Sequence, residues 1–326
     1  MSIGGATYDL FVRVNHEVVQ THEGNQAFTL PLGEKVRVQE VVETCGGGAS
    51  NTAVGLARLG CAASFEGVIS SDQWGEKLLA NFRKEGVDTQ DVTVVEGEVS
   101  SFSIILSASG GERVILYEPG TNAHLHKANF DRETALHTDW IYLNHIQEGS
   151  SMIQDDIVEI LAGDPSPNFT WNPGGYQVDA GIESPVNLRL LKATDFLLLN
   201  REEALRFARA DSVEKAMNTL RQSGVKAIVI TDGKNGAIGT DGTHRYRCPV
   251  AALGPIVDTT GAGDAFGTGM TWALLTGKDF PTALKAGTIN AASVAGAIGA
   301  EKGLLTETQM KELLDRTDLA IEVTPL

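Results

Sequence analysis

Cysteine is scarce in this chain: Cys45, Cys61 and Cys248 are the only three among 326 residues. An odd number without Cys-x-x-Cys spacing argues against a disulfide scaffold or a thiolate zinc site, and fits a reducing, cytoplasmic compartment. Positive charge is also short, with 26 Lys and Arg against 42 Asp and Glu and a net charge of −16. That field repels phosphodiesters and anionic lipid, so neither nucleic acid nor a membrane is expected as a partner. It suits a halophilic or simply a well-solvated surface. Aromatic residues, 6% of the chain, are too scattered for a base-stacking platform. No apolar run approaches the ~18 residues of a membrane span, and the start MSIGGATYDLF lacks the basic and apolar regions of a leader. Two nucleotide fingerprints are missing as well. Asn51 stands where a dinucleotide motif needs its third glycine, and the pairs Gly233-Lys234 and Gly277-Lys278 are followed by Asn235 and Asp279, where a P-loop has Ser or Thr.

Two glycine-rich turns, each opening an apolar helix, carry the chemistry. In Asp258-Thr-Thr260-Gly261-Ala262-Gly263-Asp264 the glycines let successive N–H groups point one way without side-chain obstruction, which makes a cradle for an anion. The helix that follows, through Phe266, Met270 and Trp272, adds the partial positive charge of its N-terminus. Asp264 can there accept a proton from a hydroxyl while the turn steadies the charge on a transferred phosphoryl group. The second turn, Cys45-Gly-Gly47-Gly48-Ala-Ser-Asn51, is uncharged until Arg58. Asn51 both donates and accepts hydrogen bonds, which suits a polyol.

From about residue 138, short apolar runs alternate with helical stretches. Residues 140–144, 168–172, 196–199 and 227–231 are predicted to be buried parallel strands, and residues 151–162, 201–210 and 213–223 helices, the first capped by Ser150 or Ser151. The Ala/Gly-rich residues 291–300 are expected to form a packed helix. Residues 10–42 and 99–118 differ: they alternate with period two, and the second turns at Ser109-Gly110-Gly111 like a hairpin. The arginines on these segments, Arg13, Arg37 and Arg113, are candidates for holding a substrate phosphate, but on alternating segments they read rather as solvated strand faces.

In order along the chain, these motifs resemble the ribokinase-like (PfkB) family of small-molecule kinases. The resemblance begins at Gly4-Gly5-Ala-Thr7-Tyr-Asp9, takes in the GGGASN turn, Asn200-Arg-Glu-Glu203, Thr231-Asp-Gly233-Lys-Asn-Gly236 and DTTGAGD, and ends with Asn290 and Gly299-Ala300. It implies a three-layer α/β/α sandwich with a mostly parallel central sheet, one domain over residues 1–326, and a small β-sheet lid from about 11–42 and 99–119. By the same resemblance Asp9, Gly47, Gly48 and Asn51 hold the substrate, and Gly261, Ala262 and Gly263 form the anion hole beside the base Asp264. Asn200, Glu203, Thr231, Gly233, Gly236 and Asn290 would serve ATP, with Glu203 reaching Mg2+ through water, and Asp258, Thr260 and Gly299 would hold K+. Residues 140–150 should add substrate contacts, with Asn144, His145 and Glu148 as candidates. Ribose-specific members carry Asn and Lys where this chain has Thr7 and Gly48, which leaves ribose itself open.

The expected activity is ATP-dependent phosphorylation of a primary hydroxyl on a small sugar, by a homodimer paired through the lid. A nucleoside kinase is the alternative, with Phe102, Tyr117, Trp140 or Tyr142 stacking on the base. A catalytically silent binding protein on the same scaffold would have no need of Asp264. Local readings also stay open: Asp9 as a strand-end turn residue, Asn51 as a helix N-cap, Asn200 with Glu203 as a capping pair, and Asp258 with Thr260 as a structural turn.

Overall fold

A computed structural model of the chain describes all residues except 16–17, 23–24, 109–112, 128–130, 148–149 and 151. The Ser109-Gly110-Gly111 turn, Glu148 and the Ser151 cap lie outside the described residues.

The strand Phe196–Asn200 shows how the layers arise. Its side chains alternate across the sheet: Leu197 and Leu199 join one core cluster, Phe196 and Leu198 another. The neighbouring Ala227–Thr231 does the same, Ile228 and Ile230 facing one way and Val229 the other. A strand apolar on both faces must be covered on both, each fully buried Leu or Phe being worth about 1.5–3 kcal/mol. On the first face lie the helices Met152–Leu161, Pro185–Ala193, Arg201–Phe207 and Val213–Gln222. On the second lie Gly48–Arg58, Ala262–Leu275, Phe280–Ala295 and Glu307–Arg316. The result is the expected three-layer α/β/α sandwich.

Among the described residues the central sheet has nine strands. Phe65–Glu66, Ser2–Ile3, Trp140–Leu143, Asn168–Trp171, Phe196–Asn200 and Ala227–Thr231 run parallel in that spatial order. Ala237–Thr240, His244–Cys248 and Glu322–Pro325 continue it antiparallel. After Ile3 the chain leaves this sheet and enters a second, four-stranded one, in the order Arg113–Glu118, Phe102–Ser107, Thr7–Arg13, Glu40–Gly46. This is the small lid sheet, and its strands reach beyond residues 11–42 on both sides. The helix expected over residues 291–300 stops at Ala295, and Gly299 takes φ 85°, which a continuing helix does not allow.

Candidate active site

The carboxyl ends of the parallel strands point to one edge of the sandwich, where an open α/β sheet binds its ligands. Asn200 ends its strand in register with Thr231, and both line a cavity of about 420 Å³ together with Gly233. Asp264 is not among the residues lining that cavity, so the nucleotide-loop candidates and the base occupy adjoining parts of the edge.

The two glycine turns converge beside it. Gly47 is the N-cap of the helix Gly48–Arg58, with φ 92°; a Cβ there would lie 2.7 Å from Ala6 Cα and Gly5 O, so only glycine lets the turn sit against the crossing to the lid. Asn51 is in the first turn of this helix and does not cap it. Its Nδ2 donates to Asp264 Oδ2 at 2.7 Å across 213 residues of sequence. Its Oδ1 is buried without a partner. Gly48 packs over Asn144, whose Nδ2 donates to Thr52 and whose Oδ1 is likewise unpartnered.

Gly261 caps the helix Ala262–Leu275 in the left-handed region, φ 74°, and a Cβ would lie 2.4 Å from Ala300 Cβ. Gly263 is exposed, and nothing lies within 4 Å of where its Cβ would be. An anion can therefore approach the first-turn N–H groups, which have no intrahelical acceptor. Ala262 N–H contributes less, since it already donates to Thr259 O at 3.3 Å.

Asp264 is half-buried by surface area. Burial raises its pKa, the Asn51 donor and the nearby His145 oppose the rise, and the negative charge of Glu203 adds to it. His145 keeps an exposed edge; the protein crowded around it lowers its pKa, against the pull of Asp264. Asp9 sits on the lid strand at 6% exposure, with its pKa raised to about 7 by burial, opposed by a hydrogen bond from Ser103 and reinforced by Glu301 and Asp258.

Asn200 and Glu203 form a reciprocal capping box: Asn200 N donates to Glu203 Oε2 at 2.8 Å, and Glu203 N to Asn200 Oδ1 at 2.9 Å. The cap fixes Glu203 close enough to influence Asp264. Gly236 turns with φ 83°, and a Cβ there would lie 2.1 Å from Cys248 O.

Two expectations need correction. Asn290 is fully buried; it donates to Ala265 O at 2.8 Å and accepts from Leu305 N at 3.2 Å, so its polar atoms join two helices and do not face a nucleotide. The K+ site at Asp258, Thr260 and Gly299 has the wrong partners. Asp258 Oδ1 accepts from Thr260 N, Thr260 Oγ1 and Arg113 Nη1, and Oδ2 accepts from Gly299 N at 3.1 Å. A carboxylate ringed by donors and paired with a guanidinium does not fit a monovalent cation. Arg113 is the residue that the sequence missed here, because its partner is 145 residues away. Of the aromatic candidates, Tyr142 is fully buried, Phe102 stacks on Trp74 and Trp140 donates to Thr170, which leaves Tyr117 exposed.

Comparison with known proteins agrees with this geometry. The pfkB family carbohydrate kinase profile matches residues 14–160 and 176–307. An uncharacterized sugar kinase of Archaeoglobus fulgidus is 30% identical over 256 residues, covering 77% of this chain and 98% of that one. Ribokinase of Haemophilus influenzae is 27% identical over 295 residues, with 88% and 92% covered. The crystal structure of adenosine kinase from Sinorhizobium meliloti superposes with a TM-score of 0.78 at 22% identity, over 95% of this chain and 97% of that one, a likeness of fold. With the fold, both glycine turns and the family profile in agreement, this chain belongs to the pfkB family of carbohydrate kinases.

Proposed function

We propose that the protein transfers the terminal phosphoryl group of ATP to a primary hydroxyl of a small sugar, as ribokinase- and fructokinase-like enzymes do. The observation that carries this is the 2.7 Å hydrogen bond from Asn51 to Asp264, which joins a polyol-binding turn to a carboxylate at an anion-binding helix start. Asp264 accepts the proton as the hydroxyl attacks, and its raised pKa makes it the stronger base. Asp9 from the lid and the unpartnered Oδ1 of Asn51 hold neighbouring hydroxyls. Gly261, Ala262 and Gly263 steady charge on the phosphoryl oxygens, and Gly47 and Gly48 let the acceptor close on the backbone.

ATP enters over Asn200, Thr231, Gly233 and Gly236. Mg2+ suits this place: Glu203 spends Oε2 on its cap, and among the described residues no donor meets Oε1. Asn200 and Glu203 would hold the ion through its waters, and it would offset phosphate charge when bound. The lid, within one domain over residues 1–326, excludes water from the transfer. Its outermost strand, Arg113–Glu118, is exposed along its whole length and presents Val114, Ile115, Leu116 and Tyr117, an edge suited to pairing in a homodimer, which sedimentation in the ultracentrifuge measures. The compartment is taken as cytoplasmic; no described helix is long and apolar enough to cross a membrane.

A nucleoside acceptor is the second reading, favoured by one observation. Tyr117 pairs with Ser103, which pairs with Asp9, so the exposed ring shares a lid face with the substrate carboxylate and can stack on a base. ADP formation from Mg-ATP across pentoses, ketohexoses, 2-keto acids and nucleosides tests both. Turnover with sugars supports the proposal, turnover with nucleosides alone moves the assignment, and no acceptor-dependent turnover favours a silent binding protein.

A further inference from the structure

Arg113 begins the outermost lid strand, yet its side chain reaches the loop that precedes the anion-binding turn. Nη1 donates to Asp258 Oδ1 at 2.9 Å and to Thr260 Oγ1 at 3.1 Å. Asp258 is enclosed, with 9% of its side chain exposed, while the arginine keeps 40%. Among the described residues, every group hydrogen-bonded to the carboxylate is a donor: Thr260 N at 3.0 Å, Thr260 Oγ1 at 2.8 Å and Arg113 on one oxygen, Gly299 N on the other. Only Arg113 among these carries a full charge.

An enclosed carboxylate needs a counter-charge, and the acidic surroundings here sharpen the need, since Asp258 and Glu301 both bear on Asp9. A bound cation would have to displace donors from Oδ1 and sit against a guanidinium of its own sign. The loop held by this pair runs from Asp258 into Gly261, where the left-handed turn begins. Its position therefore sets where the first-turn N–H groups point.

We infer that Arg113 is a positioning residue that supplies, from the lid, the positive charge Asp258 requires, so that the catalytic turn is ordered by the lid and not by a monovalent cation. The kinetic part of this rests on the phosphoryl-transfer reading; the charge pairing does not. An opened lid would withdraw the guanidinium and loosen the turn, which ties the anion cradle to closure over the substrate.

The test compares the native protein with Arg113→Ala and Arg113→Lys in KCl and in choline chloride at equal ionic strength. Two quantities are read: kcat for the accepted substrate, and the unfolding midpoint without nucleotide. The native protein should show the same kcat and the same midpoint in both salts. Arg113→Ala should lose about tenfold or more in kcat in choline, recover much of it in K+, and show a midpoint raised by K+ specifically. Arg113→Lys keeps a charge on the lid and should remain indifferent to K+. Activation and stabilisation of the native protein by K+ would overturn the inference, as would an Arg113→Ala protein whose kcat and midpoint are unaltered or whose losses K+ leaves untouched. An inactive native protein would refute the phosphoryl-transfer reading, and the midpoints alone would then decide on Arg113.

Discussion

Asp9 carries a charge that the fold resists. Its pKa rises from 3.8 to about 7 because the lid strand buries it, with Asp258 and Glu301 adding negative charge nearby. The folded protein thus binds more protons than the unfolded chain between roughly pH 4 and pH 7, and the contribution of this group to stability is greatest below the unfolded value and is lost as pH rises to the folded one. A shift of about three units corresponds to about 4 kcal/mol above pH 7, of which roughly 1.5 kcal/mol is already lost at pH 5. Asp9→Asn removes the titration and keeps the shape. Urea unfolding of both proteins at pH 5 and pH 8 should find the variant gaining about 2.5 kcal/mol more, relative to native, at pH 8 than at pH 5. Other buried carboxyls, such as Glu66 with its pKa raised to about 8, are common to both proteins and cancel. The same substitution should weaken substrate binding, the usual exchange of function for stability. An Asn-minus-native difference that is equal at the two pH values would refute the reasoning.

Two further substitutions probe the turns. Asn51→Ala removes the hydrogen bond that holds the Asp264 pKa down, so the acid limb of the kcat–pH profile should move to higher pH; a limb that stays, or moves down, contradicts the assigned contact. Gly261→Ala places a Cβ 2.4 Å from Ala300 Cβ at φ 74°, and should cost about 2–4 kcal/mol in urea unfolding; a loss below about 1 kcal/mol would show that the turn relaxes freely.

What the sequence made legible follows from where its constraints are local. The unbroken apolar runs in residues 196–199 and 227–231 signal burial on two faces, and the structure places both strands at the centre of the sheet. The glycines at 47 and 261 mark backbone that other residues rarely adopt, which is why both turns stand out unaided. The strands His244–Cys248 and Glu322–Pro325 escape notice because they are short and lie in the antiparallel part of the sheet, the second at its very edge with a single neighbour. Asn290 fits a motif by position, but two backbone groups in the interior claim it first. Arg113 looks like any exposed residue on an alternating strand, and its meaning comes from Asp258 and Thr260, which only the folded chain brings near. Charge pairs of this kind leave no periodicity to read.

The account depends most on Asp264 as the base. Acceptor-dependent ADP formation by Asp264→Asn, measured beside the native protein at saturating Mg-ATP and sugar, tests it directly. The prediction is a kcat lower by about 10²–10⁴-fold with KM nearly unchanged. Equal rates in the two proteins would contradict it.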